Sequence, residues 1–127
     1  MQPNHSKAHF GLGNGLMMKG DLDLALAEYR KSAQLDPKFA FPYLNIANIQ
    51  MQTKNIPAAI ENFEKALSIN PSMPTVHLSL GMVYHQFQGN NEKTLGHLKE
   101  SLRLAPDQPR AESIRSLIQK LENKQPT

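Results

Sequence analysis

The feature that most constrains this sequence is a block of about 34 residues that occurs three times in succession. Prolines mark its period, because Pro37, Pro71 and Pro106 are separated by 34 and then 35 residues. Before each proline, apolar residues recur at steps of three and four, as between residues 22 and 33, which places them on one face of a helix. No segment alternates apolar and polar residues over the length that a strand needs. The sequence therefore predicts an all-α fold.

A second amphipathic stretch precedes each block, and a short polar joint separates the two. The joints are Lys19-Gly20-Asp21, Lys54-Asn55 and Gln88-Gly89-Asn90, whose residue types end one helix and begin the next. Leu12-Gly13 and Leu80-Gly81 put a small residue after a large one, which allows two helices to approach closely. The sequence thus predicts antiparallel helix pairs.

These signals resemble the tetratricopeptide repeat, a helix–turn–helix unit of 34 residues that recurs in helical arrays. The resemblance covers residues 6–39 and 40–73 most fully. Its signature residues are Leu12-Gly13, Ala25, Tyr29 and Pro37 in the first unit and Tyr43, Ile46-Ala47, Ala59, Phe63 and Pro71 in the second. The resemblance implies an α-solenoid of antiparallel helix pairs, a superhelix with seven helices, formed by one domain over residues 1–127.

The third unit, residues 74–108, departs from the pattern in the length and composition of its second half. It has one extra residue between Tyr84 and Gly89, with Thr94 in the alanine position and Leu98 in the aromatic position. A last amphipathic segment, residues 109–124, resembles the capping helix of such arrays. Stacked repeats leave their last apolar face open, and a terminal helix with a polar outer side covers it.

The resemblance also implies a binding surface, because in this family the first helix of each pair lines the concave side of the array. The side chains expected there are mostly apolar or amide and almost uncharged. They are Phe10, Asn14 and Met17 in the first repeat, Phe41, Leu44, Asn45, Asn48 and Met51 in the second, and Leu78, Met82 and His85 in the third. An exposed apolar stripe indicates an interaction site, and asparagine can both donate to and accept from a peptide backbone. The alternative is that a register shift of about one residue turns part of the stripe into ordinary core.

The chemistry of the partner can be narrowed further by comparison with the family. Some members hold the C-terminal carboxylate of a partner with asparagines and several cations. Asn14 and Asn45 match the asparagines, but Phe10, Thr75 and Ser79 stand at the cationic positions. We therefore expect an apolar or amphipathic peptide segment rather than an acidic C-terminal tail.

Other functions have little support in the composition. The absence of cysteine excludes thiol catalysis and thiolate metal sites, and His5 and His9 lack a third ligand, so we expect no metal and no cofactor. The net charge of +3 comes mainly from residues 109–127, so no repeat forms a basic stripe and nucleic acid is not an expected partner. No catalytic constellation is present, and we predict that the chain is not an enzyme.

The sequence therefore predicts a non-enzymatic protein-binding module with a scaffold or adaptor role. No run approaches the roughly 18 apolar residues of a membrane span and no leader is evident, so we expect no membrane partner and a cytoplasmic location. Two alternatives remain open. The module could be a structural unit that self-associates, since no capping segment precedes Ser6, or it could be the docking domain of a larger enzyme.

Overall fold

The computed structural model describes the backbone of residues 3–124 and the side chains from His5 to Lys124. Within these residues the chain is all-α, as predicted, and contains seven α-helices. They are α1 (Pro3–Lys19), α2 (Leu22–Leu35), α3 (Phe41–Gln52), α4 (Ile56–Ile69), α5 (Pro74–Val83), α6 (Asn91–Leu104) and α7 (Ala111–Lys124). A π-helical segment, Tyr84–Gln88, continues α5 without a break. The contacts group into an N-terminal unit ending at Pro71 and a C-terminal unit beginning at Ser72.

Each predicted joint contains one residue in the left-handed conformation. These residues are Gly20 (φ 84°), Lys54 (φ 66°) and Gly89 (φ 59°). In the first two joints a backbone N–H bonds to a carbonyl five residues earlier, from Asp21 to Leu16 at 2.9 Å and from Asn55 to Gln50 at 2.8 Å. Such bonds satisfy carbonyl groups that a helix end leaves without partners.

The third joint has the same design but spans one residue more, because the Asn90 N–H bonds to the Tyr84 carbonyl six residues earlier at 3.1 Å. The additional residue is absorbed by the π-helical segment, in which hydrogen bonds reach back five residues instead of four. The Gly89 N–H accordingly bonds to the Tyr84 carbonyl. The one-residue insertion in the third repeat thus lengthens one helical turn and leaves the helix pair intact.

The core of the N-terminal unit forms where α1 and α2 pack on α3. One cluster of buried residues there consists of Ala25, Tyr29, Ile46 and Ile49. A Cβ atom at Gly13 would lie 2.6 Å from Cε1 of Tyr29, so glycine is what allows the aromatic ring to reach α1. Gly13 therefore allows the close helix approach that was predicted from the sequence.

The core of the C-terminal unit joins the third helix pair to the last helix. Leu78 of α5, Leu98 of α6 and Ile114 of α7 are buried together, and Leu117 and Ile118 pack against them. On the outer side, Lys99 Nζ lies 2.7 Å from Glu122 Oε2. Helix α7 therefore covers the apolar side of the α5–α6 pair, as expected of a capping helix.

Candidate functional site

Two asparagines and a tyrosine form a hydrogen-bonded group between α1 and α3 of the N-terminal unit. The Tyr29 hydroxyl donates to Asn14 Oδ1 at 2.6 Å, and Asn45 Nδ2 donates to the same oxygen at 3.1 Å. Burial raises the pKa of the Tyr29 hydroxyl, so this group remains a protonated donor at neutral pH. The two predicted amides are thus adjacent and fixed by a buried side chain.

Aromatic rings lie beside the asparagines. The Phe10 ring is 5.1 Å from that of Phe39, 6.4 Å from that of Phe41 and 5.6 Å from that of Tyr29, measured between centroids. Phe39 and Phe41 meet edge to face at 6.0 Å, a favourable arrangement of two rings. Phe41 nevertheless leaves 49% of its surface exposed. The cluster therefore presents a supported aromatic ring to solvent.

The other predicted residues of the N-terminal unit differ in exposure. Asn48 is exposed, and Leu44 and Met51 are half-buried on the same helix, α3. Met17 is half-buried and packs against the core. We define the α1–α3 face as Phe10, Asn14, Met17, Phe41, Leu44, Asn45, Asn48 and Met51.

The predicted residues of the third repeat lie in the C-terminal unit, and they differ from a free stripe. Leu78 is only 9% exposed and packs against Leu98 and Ile114, so it belongs to the core under the capping helix. Met82 is half-buried and packs against the same core, and His85 is half-buried in the π-helical segment. The expectation of an exposed Leu78 is therefore wrong, because α7 covers this part of α5.

Two contributors to the α1–α3 face were not identified from the sequence. Phe39 lies in the connection between α2 and α3, outside the periodic pattern from which the face was inferred. Its signal was the closely spaced pair of aromatic residues Phe39 and Phe41 just after Pro37. The hydroxyl of Tyr29 was also missed, because the repeat pattern treats that position only as a bulky ring.

Three of the histidines, His9, His77 and His97, contact polar or aromatic side chains. His9 Nδ1 hydrogen-bonds to Glu28 Oε1 at 2.7 Å, and this contact holds the pKa of the Glu28 carboxyl below its usual range. His77 is buried, with its Nδ1 atom 3.0 Å from Nδ1 of His97. The His97 ring also stacks on that of Tyr84, with 5.8 Å between the ring centroids.

Residues 5–124 hold no group of three or more His, Cys, Asp or Glu side chains placed to bind a metal ion. Between residues 3 and 124, no helix combines the length and the apolar character that crossing a bilayer requires.

The fold and its paired helices define a helical-repeat interaction module, and comparisons with known proteins identify the kind of repeat. A family model described as tetratricopeptide repeat matches residues 6–39, and one described as TPR repeat matches residues 47–86. Together the two matches cover more than half of the sequence. The chain belongs to the tetratricopeptide repeat family.

Two curated proteins are similar to this chain in sequence. The chain is 28% identical over 108 residues to the Protein CTR9 homolog of Arabidopsis thaliana, covering 82% of this chain and 10% of that protein. It is 30% identical over 95 residues to the Small glutamine-rich tetratricopeptide repeat-containing protein 2 of Saccharomyces cerevisiae, covering 75% of this chain and 27% of that protein. The chain thus spans only about a tenth to a quarter of the length of these relatives.

Among solved structures, the first TPR of Spaghetti (RPAP3) bound to the HSP90 peptide SRMEEVD is similar in fold. Its TM-score is 0.83 at 20% sequence identity, and the match covers 97% of this chain and 94% of that chain. At this level of identity the likeness shows the fold alone. The family and fold identify this chain as a protein–protein interaction module, a class that is generally non-catalytic.

Proposed function

We propose that the α1–α3 face binds an apolar or amphipathic peptide segment of a partner protein and that the chain is a non-enzymatic scaffold or adaptor. The observation that carries the proposal is the fixed Asn14–Asn45 pair beside the half-exposed ring of Phe41. This combination offers directional hydrogen bonds and an apolar contact at the same place. Peptide recognition by repeat proteins needs both, because apolar contact supplies affinity and polar contact supplies register.

The amide groups match the hydrogen-bonding capacity of a peptide backbone. Asn14 Oδ1 accepts both internal hydrogen bonds, one from Tyr29 and one from Asn45. Among the side chains of residues 5–124, the amide hydrogens of Asn14 and the side-chain oxygen of Asn45 make no hydrogen bond. A peptide group presents one carbonyl acceptor and one N–H donor, which these atoms complement.

The apolar residues supply contact area along α3. Phe41, Leu44 and Met51 follow one another at helical spacing, with Asn45 and Asn48 between them. Burying the exposed half of the Phe41 ring would contribute about 1 kcal/mol to binding. The flexible thioether of Met51 can adapt to an irregular apolar side chain.

The chemistry of this face favours an apolar partner over an acidic one. The peptide SRMEEVD in the similar solved structure has three acidic residues. Phe10 stands on the α1–α3 face where related acidic-tail binders have a cation, and its ring packs against Phe39 and Phe41. We expect this face to bind SRMEEVD at least about tenfold more weakly than an apolar segment, because a buried carboxylate without a cation is costly.

The proposal is tested with a peptide array probed with purified chain. Met51→Glu and Asn48→Ala alter the face, whereas Gln52→Glu adds the same charge at an exposed position next to Met51 and is the matched control. Peptides that bind the parent and Gln52→Glu but not Met51→Glu support the proposal. If every captured peptide binds Met51→Glu and Asn48→Ala as well as the parent, the face is not the binding site.

A second candidate function, self-assembly, is favoured by one observation. Leu12 and Met18 of α1 are 56% and 90% exposed, and the adjacent positions Gly11 and Gly15 have open space around them. A helix side with exposed apolar residues can pack against another copy. Light scattering on the parent and on Met18→Glu separates the two functions, since an oligomer that the substitution dissociates supports self-assembly through α1.

A further inference from the structure

The C-terminal unit contains an apolar cleft that the α1–α3 face does not use. It lies where the start of α5 meets the connection between α6 and α7, and its cavity volume is about 370 Å³. The residues that matter for its chemistry are Thr75, Leu78, Ala105, Gln108, Pro109 and Arg110. A preformed apolar cavity of this size can take one medium-sized side chain.

Hydrogen bonds hold the walls of this cleft in place. The Gln108 side-chain amide donates to the carbonyl groups of Ala105 at 2.9 Å and Ser101 at 3.2 Å. The Ser101 hydroxyl donates in turn to the Pro74 carbonyl at 2.9 Å. The connection is therefore tied to both α6 and α5, and a ligand would bind without the free-energy cost of ordering a loop.

Arg110 gives the cleft a charge. Its side chain is exposed, and its guanidinium makes no hydrogen bond or ion pair with the side chains described from residue 5 to residue 124. The nearby carboxylate of Glu112 is paired with Arg115 at 3.1 Å. Asp107, in the same connection, is not one of the residues that line the cavity. An uncommitted guanidinium beside an apolar cavity complements a carboxylate beside an apolar side chain.

We propose that this cleft binds an internal segment of a partner protein in which a leucine-sized apolar side chain is followed by glutamate or aspartate. The apolar side chain enters the cavity between Leu78 and Ala105, and the carboxylate pairs with Arg110. This proposal does not depend on the α1–α3 face, so either proposed site can be disproved without affecting the other.

The test is an NMR titration of the ¹⁵N-labelled full chain with the peptide acetyl-Gly-Ser-Leu-Glu-Gly-Ser-amide. We expect chemical-shift changes centred on Thr75, Ala105 and Arg110. Replacing the leucine of the peptide by serine should weaken binding about tenfold, because it removes the apolar contact. Replacing the glutamate by glutamine should weaken binding about two- to fivefold, because the ion pair with the exposed Arg110 is partly screened by solvent.

Substitutions in the protein test whether the Leu-Glu peptide binds in this cleft. Arg110→Gln should weaken binding of the Leu-Glu peptide about two- to fivefold, whereas Lys120→Gln, which removes the same charge from another exposed position of the capping segment, should not. Thr75→Tyr should block the cavity with a bulky ring. Met51→Glu should leave this titration unchanged, and its effect on the peptide array reports separately on the α1–α3 face.

Three outcomes would overturn the proposal. The first is equal binding of the Leu-Glu and Leu-Gln peptides, and the second is equal binding by the parent and Arg110→Gln. The third is selective binding of acetyl-Gly-Ser-Leu with a free carboxyl end, which would mean that the cleft takes a chain terminus rather than an internal acidic segment. Circular dichroism of each variant confirms that the helices are formed.

Discussion

Substitution of Gly13 by alanine tests whether the close contact between α1 and α2 sets the geometry of the N-terminal unit. In an open helix position, alanine stabilises relative to glycine by about 1 kcal/mol. At Gly13 the added methyl carbon would lie 2.6 Å from Cε1 and 2.7 Å from Cδ1 of Tyr29. That ring is 1% exposed and its hydroxyl is bound to Asn14, so it has little room to move.

The expected magnitude follows from these opposing effects. Overpacking a well-filled core typically costs about 1–3 kcal/mol. Here the upper part of that range applies, because the colliding atoms belong to a rigid buried ring. After subtraction of the gain in helix propensity, Gly13→Ala should lower the free energy of unfolding by about 1–2 kcal/mol. It should also weaken peptide binding at the α1–α3 face, because Tyr29 positions Asn14.

The same helix offers a matched control. A Cβ atom at Gly15 would meet no neighbouring helix within 4 Å, so Gly15→Ala should raise the free energy of unfolding by about 0.5–1 kcal/mol. Urea unfolding followed by far-UV circular dichroism measures both variants. If Gly13→Ala stabilises the chain as much as Gly15→Ala does, the contact with Tyr29 does not constrain the helix pair.

Three further predictions concern other parts of the structure. The hydrogen bond from His9 lowers the pKa of the Glu28 carboxyl in the folded state. The ionised carboxyl therefore stabilises the fold at pH values above the ordinary glutamate pKa of about 4.3. This contribution is lost as the pH falls through the lower pKa of the folded state. Near neutral pH, the free energy of unfolding of Glu28→Gln should therefore be up to about 1 kcal/mol lower than that of the parent. Urea titrations at decreasing pH should show this difference becoming smaller. Deletion of Phe87 should convert the π-helical turn into an ordinary α-helical one, and the melting temperature of this variant should be close to that of the parent. Deletion of Gln52 from the regular second repeat should lower the melting temperature. Equal losses in the two variants would show that the π-helical turn does not absorb an extra residue. Gly96→Ala, at a helix position with open space, should raise the free energy of unfolding by up to about 1 kcal/mol, and an unchanged urea midpoint would contradict this.

The repeat period predicted the helix pairs well because its main signals report on backbone geometry. Gly13 and Gly81 mark close helix contacts, since a Cβ atom at Gly81 would lie 2.9 Å from Cδ2 of Leu98. Gly20 and Gly89 mark joints with positive φ angles. These requirements are local, so a single sequence reveals them.

The burial of individual side chains was less predictable, because it depends on which neighbouring helix covers them. Leu78 and Met82 have the spacing of an exposed stripe, but α7 packs over that side of α5. Periodicity assigns a side chain to a face with an uncertainty of about one residue, which is too coarse to separate the edge of a core from the adjacent surface. The orientation of the Asn14 amide could not be predicted either, since it depends on the hydroxyl of Tyr29 from another helix.

The Asn14–Asn45 pair also bears on the conformation of a bound partner. A peptide in a helix satisfies its own backbone groups, so a helix docked on this face would bury the amide hydrogens of Asn14 and the oxygen of Asn45 without partners. Each such loss costs about 1–3 kcal/mol. An extended segment presents unpaired N–H and carbonyl groups that can bond to these atoms, while its alternate side chains reach Phe41 and Met51. If the proposed face is the binding site, the amide pair therefore favours an extended partner over a helical one of the same apolar content.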